Sequence, residues 1–354
     1  MLYRENGQFK SSYRQDAALL PIAQDRWLVM ALLAFAYLGV PFLASNYLFL
    51  SILNPFLIMA LAAMGLNLLV GYCGQISIGH AAFMSVGAYA AYNLMLRVPH
   101  LNFLVALVLA GLIAALVGML FGIPSLRIKG LYLAVATLAA QFFIDWLFAR
   151  VKWFTDYASS GSVSTPVLDL FGWHLNSPAR KYLFLLAVVT VFTLLARNLV
   201  RGHIGRAWMA MRDMDVAAEV IGIRPVYAKL TAFAVSSFYV GVAGALWGFV
   251  YLGSWEPLAF NITLSLNLLF MIIIGGMGSI LGSFFGALFI VALPIVLDRV
   301  PAWLGAPLST AMASHLASMI FGVLIVFFLI AEPHGLARLW AIGKEKLRLW
   351  PFPH

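Results

Sequence analysis

Apolar runs about as long as a bilayer crossing recur along this chain, and they constrain its fold more than any other feature. Crossing the hydrocarbon layer takes about 20 apolar residues in a helix. Such runs fall at roughly 27–44, 47–69, 79–96, 102–123, 131–149, 181–199, 229–252, 262–275, 281–297 and 312–331. Backbone polar groups in lipid must be satisfied within the segment, so each run reads as a helix. The expectation is an all-α, polytopic transmembrane helical bundle of about ten spans. Composition agrees, because 63% of the 354 residues are hydrophobic and only 10% charged. A soluble domain carries about a quarter charged residues. The first run begins too far in for a typical signal peptide and reads as an uncleaved span.

Gly275-Gly276-Met277-Gly278 interrupts the stretch from 262 to 297, which could be one tilted helix or a hairpin of two. Charge decides between them, since cytoplasmic segments are rich in Lys and Arg. With ten crossings, Arg197, Arg201, Arg206, Arg212, Arg224 and Lys229 share the inner side with Arg127, Lys129 and the basic cations near both ends. The outer side keeps only Arg97, Arg150, Lys152, Arg180, Lys181 and Arg299. Both termini are therefore expected in the cytoplasm. The predicted divisions are a cytoplasmic segment over 1–26, a permease-like membrane domain over 27–331 and a basic tail over 332–354. Within the membrane domain, 201–228 is the largest inner loop and 150–180 the outer one. A basic chain could bind nucleic acid, but these cations lie between apolar runs rather than on a soluble face, so no nucleic-acid partner is expected.

Several site chemistries are excluded. The single cysteine, Cys73, rules out an internal disulfide. No phosphate-binding loop, zinc-binding helix motif or nucleophile elbow is present, so neither catalysis nor a cofactor or metal is expected on this chain.

Small residues four apart let helices approach closely in lipid. They occur at Gly118/Gly122 and Gly244/Gly248, and as the triplet Gly278/Gly282/Gly286. Tight packing is one reading, and a moving gate at the triplet is the other. An internal echo also exists. Leu66-Asn67-Leu68-Leu69 precedes Gly71-Tyr72-Cys73-Gly74, and Leu266-Asn267-Leu268-Leu269 precedes the second glycine run, as in a parallel repeat of one orientation.

Residues 201–229 read as an amphipathic helix, with Trp208, Met211, Met214, Ala218 and Ile221 at three- and four-residue steps. Arg212, Asp215 and Glu219 fall on another face, with Arg212 and Asp215 spaced to interact. Gly222 and Pro225 supply a stop. Such a helix could lie in the headgroup layer. Its acidic residues Asp213, Asp215 and Glu219 instead favour insertion into a protein groove.

Polar residues at membrane depth are costly and therefore candidates for function. Gln75, Ser77 and His80 either line a cavity or cap the helix that starts near Gly79. Gln141 and Asp145 sit near an outer edge, where pairing of Asp145 with Arg150 or Lys152 is expected. Asn67 and Asn267 suit bonds between helices, although both are also candidates for the pathway. His315 reads as a packing residue.

Five ordered blocks carry a resemblance. They are Gly71-Tyr72-Cys73-Gly74-Gln75-Ile76-Ser77-Ile78-Gly79-His80-Ala81-Ala82-Phe83, Arg127 to Leu133, Gly205-Arg206-Ala207, Ala217 to Gly222, and Gly275-Gly276-Met277-Gly278-Ser279. In this order and spacing the chain resembles the branched-chain amino acid permease family of ABC importers, the LivM-type subunit, over about 45–335. Ala217-Ala218 and Gly222 resemble the Glu-Ala-Ala-x-x-x-Gly loop that contacts the ATPase, with Val216 in place of the glutamate. The resemblance implies that Arg206, Arg212, Asp215, Ala217, Ala218, Glu219 and Gly222 belong to a coupling segment. It also implies a second, LivH-type permease, two ATP-binding subunits of the LivG/LivF type and a periplasmic solute-binding protein, in the bacterial inner membrane. The outer loop departs from the family. It reads Thr155-Asp156-Tyr157-Ala158-Ser159-Ser160-Gly161-Ser162 where Thr-Gly-Gly-x-Asn-Gly is usual, which leaves the solute open. Residues alone also admit a secondary transporter driven by an ion gradient, with Asp145 as the candidate ion carrier.

Overall fold

A computed structural model describes residues 11–12, 23–128, 130–158, 161–165, 168–170, 173–303 and 335–349, with isolated positions between 316 and 330. Seven of the described helices are long and apolar enough to cross a membrane. In chain order the helices are α1 (Asp25–Leu43), α2 (Asn46–Tyr72), α3 (His80–Arg97), α4 (Phe103–Leu126), α5 (Leu131–Arg150) and α6 (Pro178–Arg201). They continue with α7 (His203–Asp213), α8 (Asp215–Val220), α9 (Pro225–Leu252), α10 (Ile262–Gly275), α11 (Ile280–Trp303) and α12 (Leu336–Leu349). The predicted tenth span lies mostly outside the described residues, as do His315, Lys129 and most of the segment before residue 23.

Two helices form the centre. The most apolar windows of α9 and α2 are 78% and 67% buried inside the protein. An apolar stretch with no polar face belongs in an interior, and Leu57 to Leu69 of α2 has none. The α9 helix packs on α4, α3 and α2, while α10 and α11 pack on each other and on α2 from the other side. At the opposite extreme, the α1 window has no buried residue. Its Trp27 and Phe42 point outward, which is the composition that lipid requires. Two bonds hold it to α6, Tyr182 Oη–H to the Ala36 carbonyl (3.1 Å) and Tyr37 Oη–H to Thr190 Oγ1 (3.3 Å).

The predicted span at 79–96 is α3, but it is not among the seven apolar crossings, for a physical reason. Its neighbours are protein, so it carries buried His80, Ser85 and Asn93. The predicted break after Gly275 is real. The chain turns between α10 and α11, and Gly276 and Gly278 adopt φ of 119° and 75°. The α11 helix is also apolar, over the shorter stretch Ile280–Val296.

Glycine contacts follow the prediction in part. A Cβ on Gly118 would lie 1.9 Å from Ser237 Oγ, and one on Gly122 would lie 2.8 Å from the Phe233 ring, so both receive α9. Gly244 meets the Met84 backbone of α3, but Gly248 faces the Trp255 indole instead of a helix. The triplet is not one stripe. Gly282 and Gly286 pack on Gly275 and Met271 of α10, while Gly278 lies in the turn against Gly71. Sequence spacing missed another close crossing, where Gly87 of α3 abuts the Gly241 carbonyl of α9. Neither glycine has another glycine four residues away.

The segments expected on one side gather at one end of the bundle. Gly71 meets Gly278, Lys229 Nζ donates to the Ser125 carbonyl (3.1 Å), and Lys344 pairs with Asp25 (3.1 Å). At the other end, Arg97 stacks over Trp153 at 3.6 Å. There two short strands pair antiparallel, β1 (Val163–Ser164) with β4 (Ser254–Trp255), and β2 (Asp169–Leu170) pairs with β3 (Trp173–His174).

Candidate functional site

The two glycine-rich turns that echo each other in sequence are in contact. A Cβ on Gly71 would sit 2.2 Å from the Gly278 nitrogen, so the first turn tolerates no side chain there. Asn67, buried at the end of α2, binds the junction together. Its Nδ2 donates to the Ser279 carbonyl (2.8 Å) and to Ser283 Oγ (2.9 Å), and its Oδ1 accepts from the Gly278 N–H (2.8 Å). Asn67 therefore makes the predicted bonds between helices. Asn267 does not mirror it, being half-buried with no side-chain bond among the described residues.

The inner loop reaches this junction. Arg212 Nη1 donates to the Gly71 carbonyl (2.9 Å), while its Nε pairs with Asp213 (2.9 Å). The predicted single helix over 201–229 is broken. Met214 is extended (φ −153°, ψ 97°), ending α7 and starting α8. Asp215 then opens α8, where a negative side chain suits the helix N-terminus. The break puts Arg212 and Asp215 on different helices, so the guanidinium goes to Asp213 and Gly71 rather than to Asp215.

The break also divides the apolar stripe. Trp208, Met211 and Ala218 are buried against the chain itself, with Trp208 Nε1 donating to Thr231 Oγ1 (3.1 Å). Met214 and Ile221 face outward with Val216 and Val220, and these four are between 69% and 83% exposed. Arg206, Ala217 and Glu219 are exposed alongside. Gly222 ends α8 at φ 92°. The Ile223 N–H donates to the Ala218 carbonyl and the Gly222 N–H to that of Glu219, both at 3.0 Å. This is the Schellman pattern. Between this loop and the Gly74–Gln75 turn lies a cleft of about 610 Å³, lined also by Cys73, Met211 and Lys229. Cys73 is fully buried, and burial pushes its thiol up to about 12.

Deeper in, a polar cluster surrounds the start of α3. A helix begins with unsatisfied N–H groups, and neighbouring helices supply the acceptors. The Ala81 N–H donates to Ser265 Oγ (2.8 Å), the Ala82 N–H to Gln141 Oε1 (2.7 Å) and the Ile78 N–H to Thr137 Oγ1 (3.0 Å). Ser77 is thus not the cap. Its Oγ lies 2.7 Å from His80 Nδ1, and His80 Nε2 lies 2.9 Å from Ser236 Oγ. Gln75 stands apart, with a buried Oε1 that has no partner among the described residues.

Gln141 is fully satisfied, since its Nε2 donates to the Phe260 carbonyl (2.9 Å) and to both Asp145 oxygens (2.9 and 3.1 Å). Asp145 therefore bonds to Gln141 and not, as expected, to Arg150 or Lys152. One helical turn separates Asp145 from Gln141. Sequence reasoning missed Thr137, Ser236 and Ser265. Ser265 caps a helix 184 positions earlier, a distance at which local patterns give no signal.

The family described as "Branched-chain amino acid transport system / permease component" matches residues 48–329. This chain belongs to that permease family. It is similar to the high-affinity branched-chain amino acid transport system permease protein LivM of Salmonella typhimurium, 31% identical over 72% of this chain and 64% of that protein. It is also similar to a probable LivM of Methanocaldococcus jannaschii (23% identical, 78% and 89% covered) and to the autoinducer 2 import system permease protein LsrC of Enterobacter sp. (28%, 77% and 75%). The chain thus spans just under two thirds of the length of the Salmonella relative. No solved structure matches. As a member of this family with several apolar helices, it is a multi-pass inner-membrane protein. The family match covers both glycine turns, the α7–α8 loop and the α3 cluster, so all three belong to the permease unit.

Proposed function

We propose that this chain is the transmembrane permease subunit of an ATP-binding-cassette importer. It forms part of an inward pathway for branched-chain amino acids or related small polar solutes. A second, LivH-type permease completes the pathway, two LivG/LivF-type subunits hydrolyse ATP, and a periplasmic binding protein delivers solute. The observation that carries the reading is the outward apolar face of Met214, Val216, Val220 and Ile221, on a segment fastened by Arg212 to the glycine-turn junction. An exposed apolar face of this size beside a rigid anchor suits a protein groove. Force applied there passes through α7 and Arg212 to Gly71, and from Gly71 to α2 and α11, which meet at the same junction. The cluster of Ser77, His80, Gln141 and Ser265 fixes the inner start of α3 while those helices tilt.

The test replaces Val216 and Val220 together with Asp. Both side chains are exposed, so the folded chain is expected to keep its thermal stability. ATPase subunits should no longer co-purify in mild detergent, and ATP-dependent uptake should be lost. Normal association and uptake in this double variant overturn the reading, as does uptake by the chain alone driven by an ion gradient.

A further inference from the structure

Two buried hydrogen-bond donors at the outer end of the bundle have no partner among the described residues. They are the Tyr89 hydroxyl on α3 and the Trp255 Nε1–H on β4. The residues are only 1% and 3% exposed. A phenol or indole normally finds a polar partner when buried, and an unpaired donor away from water calls for an explanation. These two belong to a single aromatic cluster. Their rings lie 6.2 Å apart at 73°, Tyr89 stacks on Phe148 at 4.4 Å, and Trp255 meets Phe249 at 5.5 Å.

The cluster is also joined to the outer loop. Val163 pairs with Trp255 across the β1–β4 ladder, and Thr165 donates to the Gly253 carbonyl through both N–H and Oγ1, each at 2.9 Å. On the other side, the Trp255 ring lies 3.0 Å from where a Gly248 Cβ would stand. Trp255 is therefore seated directly on α9, and a shift of the outer loop carries it along.

Resting on the importer reading, we infer that Tyr89 and Trp255 form a solute-contact site at the outer mouth of the pathway. The indole N–H can only donate, so the two groups share a ligand that accepts, a carboxylate or carbonyl oxygen. Phe148 and Phe249 hold the apolar part of the same molecule. The class of ligand is a small carboxylate with a short aliphatic body. Its entry requires Trp255 to move with the 163–165 segment.

The experiment uses the purified full chain in lipid nanodiscs, unfolded by heat with and without probe at millimolar concentration. The probes are isovalerate and leucine, which carry a carboxylate on a branched body, and isopentylamine, which has the body but no acceptor. The variants are Tyr89→Phe and Trp255→Phe, which keep an aromatic ring and delete the donor. Isovalerate and leucine are expected to stabilise the wild type, and isopentylamine is not. Each variant should need about tenfold more carboxylate for the same shift, the size expected of one hydrogen bond to a charged acceptor. Tyr89→Phe without probe should be at least as stable as wild type, since deleting an unpartnered donor orphans nothing.

The inference is overturned by a wild type that no carboxylate shifts, by variants that respond as the wild type does, by an equal response to isopentylamine, or by a destabilised Tyr89→Phe. A wild type that recruits ATPase subunits and fails these tests overturns this inference alone. Failure to recruit them overturns the importer reading instead.

Discussion

Replacing Asn67 by Ala should open the junction of the two glycine turns, and the cost follows from its three bonds. Ser283 Oγ only accepts in this bond and keeps its own O–H free to donate, so losing that helix–helix bond costs about 0.6 kcal/mol. The Gly278 N–H and the Ser279 carbonyl have no such freedom, and leaving each unpaired costs about 1–3 kcal/mol. The two orphaned backbone groups alone should make local opening easier by about 2–6 kcal/mol. The chain holds one cysteine, and it is buried two residues beyond Gly71. Maleimide labelling of Cys73 in the purified chain thus reports on this opening without any engineered probe. If labelling follows the open fraction, Asn67→Ala should label at least about 30-fold faster than wild type. Asn267→Ala is the matched control. It deletes the echoing residue, which makes no such bonds, and should change the rate by no more than about twofold. Wild-type labelling in Asn67→Ala, or equal acceleration in both variants, refutes the reasoning.

Gly222→Ala places a side chain at φ 92° with open space around it, so the cost is backbone strain alone, about 1–2 kcal/mol. Hydrogen exchange at Ile223 should speed up accordingly. Gly244→Ala drives a Cβ to 1.9 Å from the Met84 carbonyl, so thermal stability should fall by about 1–3 kcal/mol or more, whereas Gly343→Ala in α12 meets nothing and should be neutral or slightly stabilising, by up to about 1 kcal/mol. Burial raises the Cys73 thiol from 9.0 to about 12, so its contribution to stability is intact below pH 9 and lost as pH rises towards 12. Thiol labelling of the wild type should accordingly keep climbing, about tenfold per pH unit, beyond the pH near 9 where an exposed thiol levels off, and a rate that levels off there contradicts the burial.

Much of the membrane plan is legible in the sequence, because hydropathy reports the solvent that each helix meets. Runs such as 102–123 and 229–252 correspond closely to α4 and α9. The glycine break after Gly275 was legible too, since only glycine readily adopts positive φ. Stripe periodicity failed in the inner loop. It assumes one continuous helix, and one extended residue, Met214, re-aims everything after it. Glycine spacing found the α4–α9 and α10–α11 contacts but mistook Gly278 for a helical residue and passed over Gly87 and Gly241.

The helical membrane character of this chain and the likeness of its two glycine turns could be read from the residues alone. Those properties depend on residue type and local spacing, which the chain carries openly. The contact between the turns, the choice of Asn67 over Asn267 to tie them, the fastening of the inner loop by Arg212 and the capping of α3 by Gln141 and Ser265 emerged only on folding. Each of these joins groups far apart in the chain. A hydrogen bond depends on a fraction of an ångström and on direction, and no linear pattern encodes either across dozens of intervening residues.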